Sequence, residues 1–149
     1  MTVTVTGGIT FSGGGLTFAP GGGGGGGSGT QKAIFGYGGN AGGIQSMTNL
    51  VSNTGVVATD TAGVGTARTV LAAAGYGTDK AIFGYGTGAS NYSLTNLVSN
   101  TGVVATDTAG VGTARFALAA AGYGTDKAIF GYGDSGVETA LTNLVSNTG

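Results

Sequence analysis

The chain has 149 residues, of which 35 are glycine and 40% are hydrophobic, and five basic against six acidic side chains leave a net charge of −1. With neither cysteine nor histidine it has no disulfide framework, no thiolate metal site and no imidazole base. Its few lysines and arginines are dispersed, which excludes a protein that binds by neutralising phosphates, so nucleic acid is not an expected partner.

In chain order, residues 1–20 read as a β-rich docking head. Val3 and Val5 alternate with threonines, Ile9 and Phe11 follow, then Leu16 and Phe18, with glycines at 7–8 and 13–15 between them. Apolar residues at period two between glycine turns predict three short strands. No charged side chain precedes Lys32. Unpaired, uncharged strand edges recruit other chains, which makes Val3, Val5, Ile9, Phe11, Leu16 and Phe18 candidate docking residues. The first residues have neither a positive n-region nor a continuous apolar core, and no window nears the ~18 apolar residues of a membrane span. The expectation is a soluble protein, made in a cytoplasm and not inserted in a membrane.

Residues 21–31 are dominated by an unbroken glycine run. Such a stretch offers no side chains to pack and reads as a flexible tether, about ten residues spanning roughly 17 Å on average and about 35 Å at full stretch.

From Lys32 onward the chain is a repeat protein. Lys-Ala-Ile-Phe-Gly-Tyr-Gly begins at Lys32, Lys80 and Lys127, and Thr-Asn-Leu-Val-Ser-Asn-Thr-Gly begins at Thr48, Thr95 and Thr142, a period of 47 residues in the second motif. Periods of roughly 20–50 residues signal solenoids, propellers or arrays. The units are 32–79, 80–126 and the partial 127–149. Four strand-like runs are expected per unit, in the middle one residues 114–122, 80–85, 94–99 and 103–106, with no helical periodicity in competition. Four short strands per unit match a β-propeller blade. The small residues Leu118 to Gly122 suit a crowded innermost strand, and Ile82 and Phe83 are bulky enough to fill the space between blades.

Thr113-Ala114-Arg115, then Leu118 to Ala121, then Lys127 to Gly133 resembles a kelch-type repeat, in which an arginine strand leads into an apolar strand ending in glycines. The near-identical tandem segment TNLVSNTGVVATDTAGVGTAR is similar to repeats of structural proteins of tailed bacteriophages, of the tail-fibre or decoration type. The opening Gly7-Gly8-Ile9-Thr10 looks like the start of small phage virion proteins. The resemblance implies an all-β fold of kelch-like, four-stranded blades and a location in the virion. From Lys32 to Gly149 there are ten expected repeat strands, two and a half blades. Closed propellers typically need at least about four, so completion by further copies in a homo-oligomer is expected.

No catalytic constellation is apparent, and no enzyme, cofactor or metal is expected. Residues 131–136 spell a formal G-x-G-x-x-G, but a dinucleotide site needs that turn to open a helix, and turn glycines recurring once per unit explain it. Asp60 with Asp107, Asp79 with Asp126, and Arg68 with Arg115 recur once per unit, which fits turn capping and repeated Asp–Arg or Asp–Lys contacts rather than converging catalytic carboxylates. The repeating tyrosines fit packing between units better than sugar stacking. Units differ chiefly in one loop, residues 39–47, 87–94 and 134–141. Loops carry recognition while a scaffold carries packing, so Asn40, Gln45, Asn91, Tyr92, Asp134 and Glu138 are the candidate ligand or partner residues. The leading expectation is a non-enzymatic virion structural protein contacting its own copies and other virion proteins. The alternatives are a lectin-like adhesin for host-surface glycans and a self-assembling environmental filament protein.

Overall fold

The structure, a computed structural model, describes residues 33–149 throughout, together with the backbone of Ile9–Ser12 and Gly15–Phe18. The chain divides into two compact units, Met1–Thr30 and Gln31–Gly149. In the first, β1 (Ile9–Ser12) and β2 (Gly15–Phe18) form an antiparallel hairpin in which Ile9 faces Phe18 and Phe11 faces Leu16. Two of the three expected head strands are thus present. Val3 and Val5, like the tether at residues 21–31, lie outside the described residues, as do the side chains of Ile9, Phe11, Leu16 and Phe18.

The second unit is all-β, with no helix among the described residues. Its first sheet pairs β3 (Ala33–Gly36) with β6 (Thr48–Val51), and the loop between them folds as a small ladder of β4 (Gly39–Asn40) and β5 (Gly43–Ile44). The second sheet is β7 (Ala72–Tyr76), β8 (Lys80–Gly84) and β9 (Thr95–Val98), and the third repeats it as β10 (Ala119–Tyr123), β11 (Lys127–Gly131) and β12 (Thr142–Val145). All pairings are antiparallel, and equivalent residues hold equivalent registers: Phe83 faces Asn96 as Phe130 faces Asn143.

This architecture departs from four-stranded blades in two places. Residues 103–108 meet β9 only at isolated bridges, Val98 with Val104 and Thr95 with Thr108. A side chain intervenes there: the Asn96 amide donates to the Ala105 carbonyl at 3.0 Å and to Asp107 at 2.9 Å. Nor is 114–122 one strand of the middle sheet. Ala117, like Val70 in the preceding unit, has φ near +52°, a left-handed conformation that breaks an extended run. The strand resumes only at Ala119 and belongs to the third sheet. No closed barrel or propeller forms among the described residues; the three small sheets follow one another openly.

Two apolar cores lie between consecutive sheets. Phe83, Val98 and Val104 pack with Ile34, Tyr37, Val64 and Leu71 between the first and second. Tyr76, Ile82, Tyr85, Ala128, Phe130 and Val145 pack between the second and third. Burying each of these large side chains contributes about 1.5–3 kcal/mol, and it does so by joining units rather than by filling any one sheet.

Candidate functional site

The joint between units is built from four residue types. The Lys-Ala-Ile-Phe-Gly-Tyr-Gly strand ends at its first glycine, and the tyrosine after it takes φ of 62° at Tyr37, 63° at Tyr85 and 62° at Tyr132. That left-handed turn swings the Tyr37 and Tyr85 rings off their own sheets toward the next. The Tyr37 ring meets Phe83 at 5.2 Å between centroids and Tyr85 meets Phe130 at 5.3 Å, within the range favoured by aromatic pairs.

An arginine from the intervening segment lies over each ring. The Arg68 guanidinium carbon is 4.3 Å from the Tyr37 centroid, and that of Arg115 is 4.2 Å from the Tyr85 centroid. Both arginines are fully buried. Arg68 donates from Nε to the Tyr85 carbonyl at 2.8 Å, from Nη1 to the Thr66 carbonyl at 3.0 Å and from Nη2 to Asn96 Oδ1 at 2.6 Å. Arg115 repeats the pattern on Tyr132, Thr113 and Asn143 at 2.8, 3.1 and 2.9 Å. Each planar cation is therefore a staple, stacked on one unit and hydrogen-bonded to the next. Guanidinium suits the place because a flat, weakly hydrated fork can stack and donate at once, which an ammonium cannot.

The tyrosine hydroxyls complete the joint, Tyr37 donating to the Val64 carbonyl at 2.9 Å and Tyr85 to that of Val111 at 3.1 Å. Burial raises both phenol pKa values, against the opposing charge and hydrogen bonding of Arg68 and Arg115 respectively. Burial likewise pulls Arg68 below its usual value, with Tyr37 and Asp107 opposing. Asp107 sits 4.0 Å from Arg68 and accepts bonds from the Thr66 hydroxyl, the Thr66 amide and Asn96. Its burial acts to raise its pKa, but those donated bonds and the Arg68 charge outweigh it and hold the carboxyl below its ordinary range.

The recurrent charges are thus used as scaffold. Arg68 with Asp107, and Lys127 with Asp126 at 2.8 Å, are ion pairs, while Asp60 accepts from Asn49 at 2.8 Å. The six loop residues do not converge. Asn40 and Gln45 line one open cavity of about 190 Å³ beside Phe35 and Tyr37. Asp134 and Glu138 line another of about 410 Å³ beside Tyr132. Tyr92 accepts the Arg115 amide on its carbonyl and so belongs to the joint between units, while Asn91 bridges Thr87 within its own loop. Among the described residues no group of three or more acidic side chains is placed to hold a metal ion.

Sequence reasoning missed Asn96, which is fully buried and central to the polar network. Its signal was available: an asparagine inside the short apolar run Thr95-Asn96-Leu97-Val98, recurring at Asn49 and Asn143. Compared with models of known protein families and with curated proteins, the sequence matches none.

Proposed function

We propose that this is a non-enzymatic structural protein whose repeat module works by stacking. The observation that carries the reading is the joint itself: the same arginine, tyrosine and phenylalanine geometry occurs twice in succession. Such a device propagates an array, and it commits both arginines of the chain to packing. The first sheet presents a large apolar side chain where the inner joints bury its counterparts: Phe35 is 66% exposed, while Phe83 and Phe130 are buried. Surfaces of this kind mark contact with other chains.

In this reading the head hairpin docks through its unpaired edges, the glycine tether gives reach, and the sheets are kelch-like blades that further copies complete. The setting is a bacteriophage virion, as a tail-fibre or capsid-decoration component, supported by the sequence resemblance of the tandem repeat. Immuno-electron microscopy of phage particles produced with the protein present tests it. Label on capsids or tails is the expected result, and label confined to free fibres moves the protein to the environmental-filament alternative.

A second reading has one observation in its favour. Phe35 presents an exposed ring to a cavity that Asn40 and Gln45 also line, an apolar platform beside amides as used for sugars. Glycan-array binding lost on Asn40→Ala and Phe35→Ala is the outcome that selects a lectin.

A further inference from the structure

Residues 103–106 lie beyond β9, and their counterparts 56–59 beyond β6, and each segment leaves one side of its backbone unused. In the middle unit Ser99 N donates to the Val103 carbonyl at 2.9 Å, Val103 N to Ser99 Oγ at 3.1 Å and Ala105 N to the Leu97 carbonyl at 2.8 Å, while the Ala105 carbonyl accepts from the Asn96 amide at 3.0 Å. Backbone groups alternate from side to side along an extended chain, so the N–H and C=O of Val104 and Thr106 turn away from β9. Among the described residues these four groups have no hydrogen-bond partner. The first unit repeats each of the bonds with Ser52, Val56, Ala58, Leu50 and Asn49, which leaves Val57 and Thr59 in the same state. Val56 and Val103 are both 65% exposed. The middle unit packs against a sheet on either side and its edge is still uncovered, so the edge belongs to the repeat and not to either end of the chain.

We propose that each of these edges pairs with the same edge of a second copy of the chain, antiparallel about a two-fold axis at Ala105, or at Ala58 in the first unit. Val104 then exchanges both backbone bonds with Thr106 of the second copy, and Thr106 with its Val104, an isologous form of strand addition. Charge decides the occupant. Strand edges are ordinarily blunted by lysine, proline or a bulge, yet residues 53–59 and 100–106 contain no charged residue and no proline. The first charge beyond the middle edge, Asp107, is turned back on Thr66 and Asn96. Such an edge has nothing with which to select a charged partner, whereas its own copy brings an equally uncharged segment whose valine and threonine suit a paired strand. At the centre Ala105 faces Ala105 in a non-hydrogen-bonded pair, where two strands approach most closely and a small side chain is needed. Two such edges in each chain let pairing continue past a dimer. The inference goes beyond the stacking reading and does not depend on it, because stacking uses the apolar face around Phe35 and pairing uses a backbone edge.

The test is hydrogen exchange of the full 149-residue protein across the micromolar range, read by mass spectrometry on peptides spanning the Val-Val-Ala-Thr segments, which are identical in the two units and are read together. Exchange in these segments is expected to slow as concentration rises. Ala58→Lys combined with Ala105→Lys sets like charges directly opposite across each two-fold axis. Both alanines are exposed, so this variant is expected to keep the parent circular dichroism while losing the concentration-dependent protection. Mixing it with the variant carrying Ala58→Glu and Ala105→Glu should restore protection, since every pair is then of opposite sign. Exchange in the parent that does not change with concentration overturns the proposal, as does undiminished protection in the lysine variant or a mixture that restores nothing. Sedimentation separates this inference from stacking. Assemblies that survive the lysine substitutions but fall to Phe35→Ala overturn edge pairing and leave stacking in place, and the reverse pattern supports edge pairing against stacking.

Discussion

Replacing Gly84 with alanine should destabilise the repeat module, whereas the same change at Gly131 should not, although the two glycines occupy one position of the repeat. A Cβ at Gly84 would lie 2.8, 3.1 and 3.3 Å from Cζ, Cε1 and Cε2 of Phe130, against the 3.5–4.0 Å of ordinary carbon contact. Phe130 is only 1% exposed and rests on Tyr85, so its ring has little room to retreat. Overpacking of this kind costs about 1–3 kcal/mol. At Gly131 the nearest atom to an added Cβ is Thr142 Cγ2 at 3.5 Å, an ordinary contact, and restricting the unfolded chain there stabilises by about 0.4–1 kcal/mol. The two variants should therefore differ by about 1.5–4 kcal/mol. Urea unfolding followed by far-ultraviolet circular dichroism reads this as a shift in midpoint at constant slope. Equal destabilisation by both substitutions would refute the argument that a phenylalanine from the next unit closes on this glycine.

Three further outcomes follow from the same joint. Asn96→Ala should cost about 2–4 kcal/mol, because it strands Arg68 Nη2 in a buried setting and also releases the Ala105 carbonyl, while Asn49→Ala, on a half-buried residue with no arginine to hold, should cost about 1 kcal/mol or less by urea unfolding. Arg115→Lys should cost about 2–4 kcal/mol by the same measurement, since one ammonium cannot stack on Tyr85 and reach Tyr132, Thr113 and Asn143 together. Stability should also fall at both extremes of pH. Tyr37 and Tyr85 have folded pKa values raised above the free phenol, so their contribution is complete below about pH 10 and disappears as pH rises through the folded values. Asp107 has a lowered folded pKa, so its contribution is complete above the free carboxyl value near about 4 and disappears as pH falls through the folded value. Denaturation midpoints measured against pH check both limbs, and Asp107→Asn should flatten the acid limb alone.

The 47-residue period, the strands at Lys80–Gly84 and Thr95–Val98 and the glycine turns were legible because alternation and punctuation are local signals. The break in the arginine segment was not. Phe116-Ala117-Leu118 contains no glycine or proline to announce a left-handed residue, yet Ala117 adopts one, with its amide donated to the Val70 carbonyl of the preceding unit. The role of the arginines was hidden for a related reason. Arg68 finds Asn96 in the following unit, 28 residues away, and Tyr37 near the start of its own, so a repeated charge could be read as structural while its partners could not be named. The loops were correctly singled out as the places where units differ. What a single sequence could not convey is that Tyr92 serves the joint through its carbonyl, while Asp134 and Glu138 line an open cavity beside Tyr132.

The claim that the module works by stacking with further chains is tested most directly by sedimentation velocity of the purified protein across the micromolar range. The account predicts assemblies heavier than the 14.1 kDa chain, growing with concentration and diminished by Phe35→Ala. A folded species of 14.1 kDa at every concentration contradicts it.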